Sequence, residues 1–249
     1  MNRRIVIIAS VVAALLLTLV ALPRGPGRAD WAGDVLADYY PGTSTGTYLI
    51  GYNYVSQPPS VTVLWNDRQD ADTFRQHNWG PYQRCHTDQL SWWAEVDGYL
   101  RYVSTTDTCT PGQSTAIIYS IPIIFLPRTW SGSYWSLTGT SSATYVINGI
   151  TRCTGTTAWK AEILGLETIA PNEVGLHWRT TQTTTWATGD VTGGCWAGAI
   201  THWQEDYWFV NDLPGPNGPA KGLKRTKGGN LDVDAGRWDI WFDRWAALP

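Results

Sequence analysis

Charged residues are scarce in this chain of 249 residues. Lys, Arg, Asp and Glu together make up 16% of the sequence, and the formal net charge is −3. A surface that binds nucleic acid, or that attracts acidic lipid in general, carries clustered positive charge. The composition therefore excludes nucleic acid as a partner. It is compatible with a membrane contact through one segment and with an envelope protein, a lipid or a glycan as partner.

Histidine is also rare, with four residues, and no two of them stand at a spacing typical of metal ligands. Residues 230–236 alternate oxygen-bearing side chains as a calcium loop does, but the Gly comes one position late and no Glu closes the loop. Residues 42–46 match the Gly-x-Ser-x-Gly pattern of hydrolases without the strand before and the helix after that it requires. We therefore predict no metal and no cofactor.

Methionine and phenylalanine are few, with one and four residues, whereas Trp and Tyr number 16 and 12. Trp is large, stiff and amphipathic, so it suits half-buried β-surfaces and binding faces alike. The composition indicates a tryptophan-rich β protein in which each aromatic cluster is either core or binding surface.

The N-terminal leader, residues 1–24, determines where the rest of the chain works. Residues 5–22 are uncharged and almost all apolar, and they follow Arg3 and Arg4. A signal peptide has an apolar core of about 7–15 residues, and a membrane helix needs about 20, with about 17 tolerated. The leader is therefore a signal peptide or a single transmembrane anchor, and Arg28 within the cleavage region favours the anchor. Either way the N-terminus lies inside and the rest is extracytoplasmic, membrane-anchored or secreted, at the cell envelope.

Four cysteines in an exported chain predict two disulfides, because disulfides persist in oxidising compartments. Cys85 and Cys109 flank a hairpin and form the first predicted pair. Cys153 and Cys195 form the second by elimination.

The hairpin register supports the first pair. A three-residue loop with Gly98 in the left-handed conformation pairs Glu95 with Tyr99. Extending that register outward sets Cys85 opposite Cys109.

The remaining chain is predicted to be mostly β. Residues 25–46 are rich in Pro, Gly, Ser and Thr and form a linker, and residues 47–249 form one extracytoplasmic antiparallel domain. Pro122 inside an apolar run favours an edge or a bulge. In the C-terminal half, the predicted strands are 133–138, 143–147, 157–169, 174–186, 199–210 and 237–245, with a long loop at 212–234. The last segment also fits helical spacing, but its all-β context favours a strand.

The stretch from Trp159 onward resembles a family of exported bacterial β-sheet proteins of unknown function, related in fold to periplasmic lipoprotein carriers. The likeness lies in Glu-Thr-Ile-Ala-Pro at 167–171, Arg-Thr-Thr at 179–181, Tyr-Trp-Phe at 207–209 and Gly-Leu-Lys-Arg at 222–225. The turn after Pro171 departs from the family pattern. The resemblance implies a curved antiparallel sheet, a half-barrel that clasps a hydrophobic ligand or partner, and it implies no catalytic residues.

The fold class we predict is therefore a curved antiparallel sheet, as a half-barrel or a sandwich, preceded by an N-terminal hydrophobic helix. Trp203 and Tyr207 share one strand face, with Glu205 between them. Together with Trp241 and Trp245 they are the predicted ligand-binding residues, for an apolar or glycan ligand.

The leading functional hypothesis is a non-catalytic binding or interaction module. The rival is a secreted glycan-active hydrolase, which needs two carboxylates among aromatic side chains. Asp239 and Asp243, beside Trp238 and Trp241, are the residues that would serve it. A third alternative is a structural subunit of an envelope complex.

Overall fold

In the computed structural model, the residues that the structure describes are 31–34, 47–55, 58–70, 73–79, 89–108, 112–189, 195–215, 220–233 and 237–247. These residues contain fourteen strands and no helix. The strands are β1 (Trp31–Asp34), β2 (Thr47–Asn53), β3 (Ser60–Arg68), β4 (Thr73–Trp79), β5 (Gln89–Val96), β6 (Tyr99–Asp107), β7 (Thr115–Pro127), β8 (Thr129–Gly132), β9 (Trp135–Ile147), β10 (Ile150–Ala170), β11 (Glu173–Thr188), β12 (Ile200–Leu213), β13 (Ala220–Asn230) and β14 (Arg237–Ala247).

Twelve of the strands form one antiparallel sheet in the order β10, β11, β12, β13, β14, β2, β3, β4, β5, β6, β7 and β9. Because β9 also pairs with β10, the order returns to its first strand and the sheet closes into a barrel. The prediction of a mostly β, antiparallel fold is confirmed. Closure differs from the predicted half-barrel or sandwich, because β14 pairs with β2 and β7 pairs with β9, which joins both halves of the chain in one ring.

The seam between β7 and β9 covers less than half of either strand, and each strand has 13 residues. Their ladder holds only five pairs, from Thr115 opposite Ile147 to Tyr119 opposite Ala143. Beyond Tyr119, β7 continues through Pro122, where its register against β6 also shifts. This is the irregularity that a proline inside a strand favours.

Side chains replace the backbone ladder just past the seam. The hydroxyl of Ser141 accepts from the backbone N–H of Ile121 at 3.0 Å, and that of Ser120 accepts from the N–H of Ser142 at 3.2 Å. Further along, β8 pairs with β1 inside the predicted linker, and Trp130 of β8 is buried in the core. Past the seam, the hydroxyls of Ser141 and Ser120 therefore link β7 and β9.

The β5–β6 hairpin is confirmed, but its predicted loop is wrong. Val96 pairs with Tyr99, and Glu95 pairs with Leu100. The loop has two residues, Asp97 and Gly98, with φ of 54° and 75°. Positive φ angles at both loop residues are typical of a two-residue hairpin turn, whose twist matches that of the flanking strands. The predicted three-residue loop placed only Gly98 in this conformation. The register argument for a Cys85–Cys109 bridge therefore fails, and both cysteines lie outside the described residues.

In the C-terminal half, the predicted strands 157–169, 174–186, 199–210 and 237–245 are confirmed as β10, β11, β12 and β14, and two other predictions need correction. Residues 133–138 and 143–147 belong to the single strand β9, and the predicted loop at 212–234 contains β13. Gly228 explains the second error, because a Cβ there would lie 2.8 Å from the Cα of Glu205. Its glycine permits close approach to β12 rather than marking a loop. The last segment is the strand β14, as favoured.

The barrel interior holds two apolar clusters. The first contains buried residues from most of the ring: Leu49, Leu64, Leu100, Phe125, Leu126, Trp130, Ile163, Leu176, Trp178, Phe209, Val210, Leu213, Leu223, Ile240 and Phe242. The second contains Tyr119, Ile123, Ala143, Cys153, Trp159, Trp186 and Cys195. The predicted Cys153–Cys195 disulfide is confirmed within the second cluster, with the Cα atoms 6.3 Å apart.

No helix among the described residues is long and apolar enough to span a membrane. The hydrophobic helix predicted within residues 1–24 lies outside them.

Candidate functional site

Three residues of β12 point into the barrel at alternate positions. The ring of Tyr207 lies 4.5 Å from that of Trp178 and 5.4 Å from that of Phe125, centroid to centroid. Phe125 is on β7, which is not a sheet neighbour of β12, so this contact crosses the interior. Since side chains two apart share a face, Glu205 and Trp203 point the same way as Tyr207.

Glu205 is the acidic centre of this inward face. Its Oε1 accepts from the indole Nε1 of Trp203 at 2.8 Å, and its Oε2 accepts from the hydroxyl of Tyr207. Burial raises the pKa of the Glu205 carboxyl, and these two hydrogen bonds oppose that shift. Among the described Lys, Arg and His residues, none forms an ion pair with it.

A polar layer surrounds Glu205 between the two apolar clusters. Thr180, opposite Glu205 on β11, is buried. The Tyr119 hydroxyl donates to Oε1 of Gln182 at 2.9 Å, from β7 to β11. Burial, and then the charge of Glu205, raises the pKa of the Tyr119 phenol. The carboxyl and the phenol therefore lie close enough to influence each other inside the barrel.

The inward residues of β12 are only partly buried. Neighbouring protein groups desolvate the Glu205 carboxyl, yet Trp203, Glu205 and Tyr207 each keep part of their surface accessible. Side chains fill the interior of a barrel of about eight strands, and larger rings leave room for a ligand. With twelve strands and a partly accessible acidic group, the interior has the character of a binding site.

The outer face of the same strands carries a second polar cluster. His177 lies between two carboxylates, with Nδ1 2.6 Å from Glu167 Oε2 and Nε2 2.7 Å from Asp206 Oδ1. Burial acts to raise the pKa of Asp206, but hydrogen bonds from His177, Gln204 and Arg179 hold it below its ordinary value.

Next to this cluster, cationic and aromatic groups alternate across four strands. The rings of His177 and Trp208 stack at 4.5 Å. The Arg225 guanidinium lies 5.0 Å from the Trp208 centroid and 4.6 Å from that of Trp241. It also donates to both oxygens of Asp239, at 2.8 and 2.6 Å. We call His177, Trp208, Arg225, Trp241 and Asp239 the outer stack. Its ionisable groups, His177, Arg225 and Asp239, are paired within the protein.

The four predicted ligand-binding aromatics do not converge. Trp203 and Tyr207 face the interior together, whereas Trp241 belongs to the outer stack. Trp245 packs against the first apolar cluster and donates its Nε1 to the carbonyl of Lys221 at 3.1 Å. Only the β12 pair therefore forms a local site.

The two aspartates of the hydrolase alternative occupy different surroundings. Asp239 is held in the ion pair with Arg225, and Asp243 is exposed at the register shift of β14. Within the described part of the chain there is also no group of three or more His, Cys, Asp or Glu side chains placed to hold a metal.

Sequence reasoning missed Tyr119 and Gln182. They are separated by 63 residues, and no local pattern indicates that β7 and β11 face each other. Glu205 was recognisable only as the residue between Trp203 and Tyr207.

No protein-family model, curated protein or solved structure matches the chain.

Proposed function

We propose that this chain is a non-catalytic, extracytoplasmic binding module of the cell envelope, and that its ligand lies inside the barrel. The observation that carries the proposal is Glu205, an acidic residue held by Trp203 and Tyr207 in a partly accessible interior. Ligand sites are concave and mostly apolar, with a few placed polar groups. The interior of this barrel has that composition.

The residues that border the polar layer indicate the chemical class of the ligand. Two apolar clusters border the polar layer, so the ligand has an apolar body with at least one polar group, or it is a glycan that stacks on the aromatic rings. The resemblance to relatives of lipoprotein carriers agrees with an apolar ligand. The outer stack agrees less well with binding, because its ionisable groups are already paired within the protein.

The envelope location rests on two features. The leader has the charge order of an exported chain with its N-terminus inside. The Cys153–Cys195 disulfide suits an oxidising compartment. We propose that the leader tethers the domain to the membrane and that residues 25–46 connect the two.

A titration of the purified protein tests the binding proposal. Intrinsic tryptophan fluorescence is followed while 1-octanol, or a soluble wall oligosaccharide, is added. A saturable change with at least one of them, reduced in Trp203→Phe but not in Trp196→Phe, supports the proposal, because Trp196 is exposed. No saturable change with either class, or steady hydrolytic turnover of envelope glycans or esters, overturns it.

A further inference from the structure

The charge balance around Glu205 is incomplete. An ionised carboxylate away from bulk water is costly unless it is paired with a cation or a metal. Here the carboxylate has two neutral donors, Trp203 and Tyr207, and no described cationic side chain forms an ion pair with it. On the outer face of the same strand, Asp206 is paired with both Arg179 and His177. Asp206 on the outer face therefore has cationic partners, whereas none of the described cationic side chains pairs with Glu205 on the inner face.

Aromatic rings surround the same carboxylate. Trp203 packs against Trp238 with ring centroids 5.4 Å apart, and Tyr207 adjoins Trp178. The faces of Trp and Tyr attract organic cations, and the attraction grows when water is excluded. A carboxylate between such rings has the composition of a site for an ammonium group.

We propose that the ligand inside the barrel carries an organic cation, a primary or quaternary ammonium group, that pairs with Glu205 while its apolar body lies along the aromatic interior. This inference rests on the proposed interior site and specifies the head group of its ligand. A metal ion fits less well, because a hard cation takes about six or more oxygen ligands, and the described surroundings offer one carboxylate among neutral groups. A glycan fits less well too, because both Glu205 oxygens already accept hydrogen bonds and the bordering clusters are apolar.

The test compares three ligands with the same alkyl chain and different head groups: octyltrimethylammonium, 1-octanol and octanoate. Their affinities for the full-length protein in lipid nanodiscs are measured by calorimetry, with empty nanodiscs as the reference. We expect octyltrimethylammonium to bind at least about tenfold more tightly than 1-octanol, and octanoate to bind most weakly.

Two variants assign the preference to the inward acid. Glu205→Gln keeps the shape and hydrogen-bonding capacity of the side chain without its charge, so it should bring the ammonium and alcohol affinities to within about twofold. Glu167→Gln removes a half-exposed carboxylate of the outer face and should leave the preference unchanged.

The pH dependence of the unmodified protein gives a second readout that needs no variant. A quaternary ammonium does not titrate, so its affinity should fall as the pH is lowered through the raised pKa of Glu205, while that of 1-octanol stays constant. Among the described residues, the titratable groups next to Glu205 are the phenols of Tyr207 on its own strand and Tyr119 on β7, and phenols ordinarily ionise only near about pH 10.

The outcomes are distinct. A preference for the cation that disappears in Glu205→Gln, or with acid, supports the inference. Equal binding of all three ligands overturns the inference and leaves the interior site in place. A cation preference that survives in Glu205→Gln and at low pH also overturns it. Binding of none of the ligands overturns this inference and removes its basis in the proposed site.

Discussion

Tyr119 donates a hydrogen bond to Gln182 across the inside of the barrel, with 2.9 Å between the phenol oxygen and Oε1. The two residues lie on β7 and β11, which share no backbone ladder. Tyr119 also forms the last backbone pair of the seam, opposite Ala143. The bond therefore joins the polar layer around Glu205 to the point where the ring begins to separate.

Removing this hydroxyl should weaken the barrel. Tyr119→Phe removes the hydrogen-bond donor to the side-chain oxygen of Gln182 in the interior. We therefore expect the free energy of unfolding to fall by about 1–2 kcal/mol. Urea unfolding measured by circular dichroism checks this. Tyr54→Phe is the control, because Tyr54 is exposed and should change stability by less than about 0.5 kcal/mol. Equal stability of Tyr119→Phe and the unmodified protein would show that the cross-barrel bond contributes nothing.

Asp206 should make the fold sensitive to acid. Its pKa is depressed in the folded state, so its contribution is fully present above the ordinary carboxyl pKa of about 4 and is lost as the pH falls through the depressed value. Asp206→Asn should lower stability by about 1.5–3 kcal/mol near neutral pH, where hydrogen bonds to a charged group are lost, and by much less in acid.

Urea midpoints from about pH 7 down to about pH 2 measure this difference. Asp212→Asn, at an exposed position, serves as the control and should follow the unmodified protein at every pH. A loss in Asp206→Asn that is the same at all pH values would contradict the assigned role of the ionised carboxylate.

Asp239 should prove structural. Its bidentate ion pair with Arg225 is partly buried, so a double-mutant cycle with Arg225→Gln and Asp239→Asn should give a coupling free energy of about 1 kcal/mol. Asp243→Asn should leave stability unchanged, because that side chain is exposed. A hydrolase would show the opposite pattern, with turnover lost in both aspartate variants and stability kept.

The disulfide should stabilise the second apolar cluster. Cys153 and Cys195 are buried and separated by 42 residues, and closing a loop of that size contributes about 2–4 kcal/mol. The double variant Cys153→Ala/Cys195→Ala should therefore unfold at a clearly lower temperature, which calorimetry measures without reductant. An unchanged midpoint would show that packing alone holds this end of the barrel.

The sequence predicted the positions of most strands in the C-terminal half, but it did not predict the strand pairing that closes the barrel. Alternating aromatic and β-branched residues predict strands because side chains on a strand have a period of two, and β10, β11, β12 and β14 appear where that pattern lies. β13 was missed because Gly228 and its Lys-rich neighbours have no apolar alternation. The closing pairs join β14 to β2, and such distant partners leave no local signal in one sequence.

The site was predictable only in part, for a similar reason. The period of two placed Trp203, Glu205 and Tyr207 on one face. It did not show which face is inside, because Trp208 gives the opposite face an aromatic residue as well. The partner across the barrel, Tyr119, became apparent only when the ring was traced. Trp241 shows the same limit, since an aromatic residue beside carboxylates suggests a binding surface and its actual neighbour is Arg225.

Photo-crosslinking tests the central claim, an interior ligand site on β12, most directly. An octyl ammonium probe with a diazirine at the end of its chain is added to the full-length protein, activated by light, and the labelled residues are mapped by mass spectrometry. We expect labels on inward-facing residues of β12 and of the strands across the interior, such as Trp203, Tyr207 and Phe125, and competition by unlabelled octyltrimethylammonium. Labels confined to the outer stack, or labelling that the competitor does not reduce, would contradict an interior site.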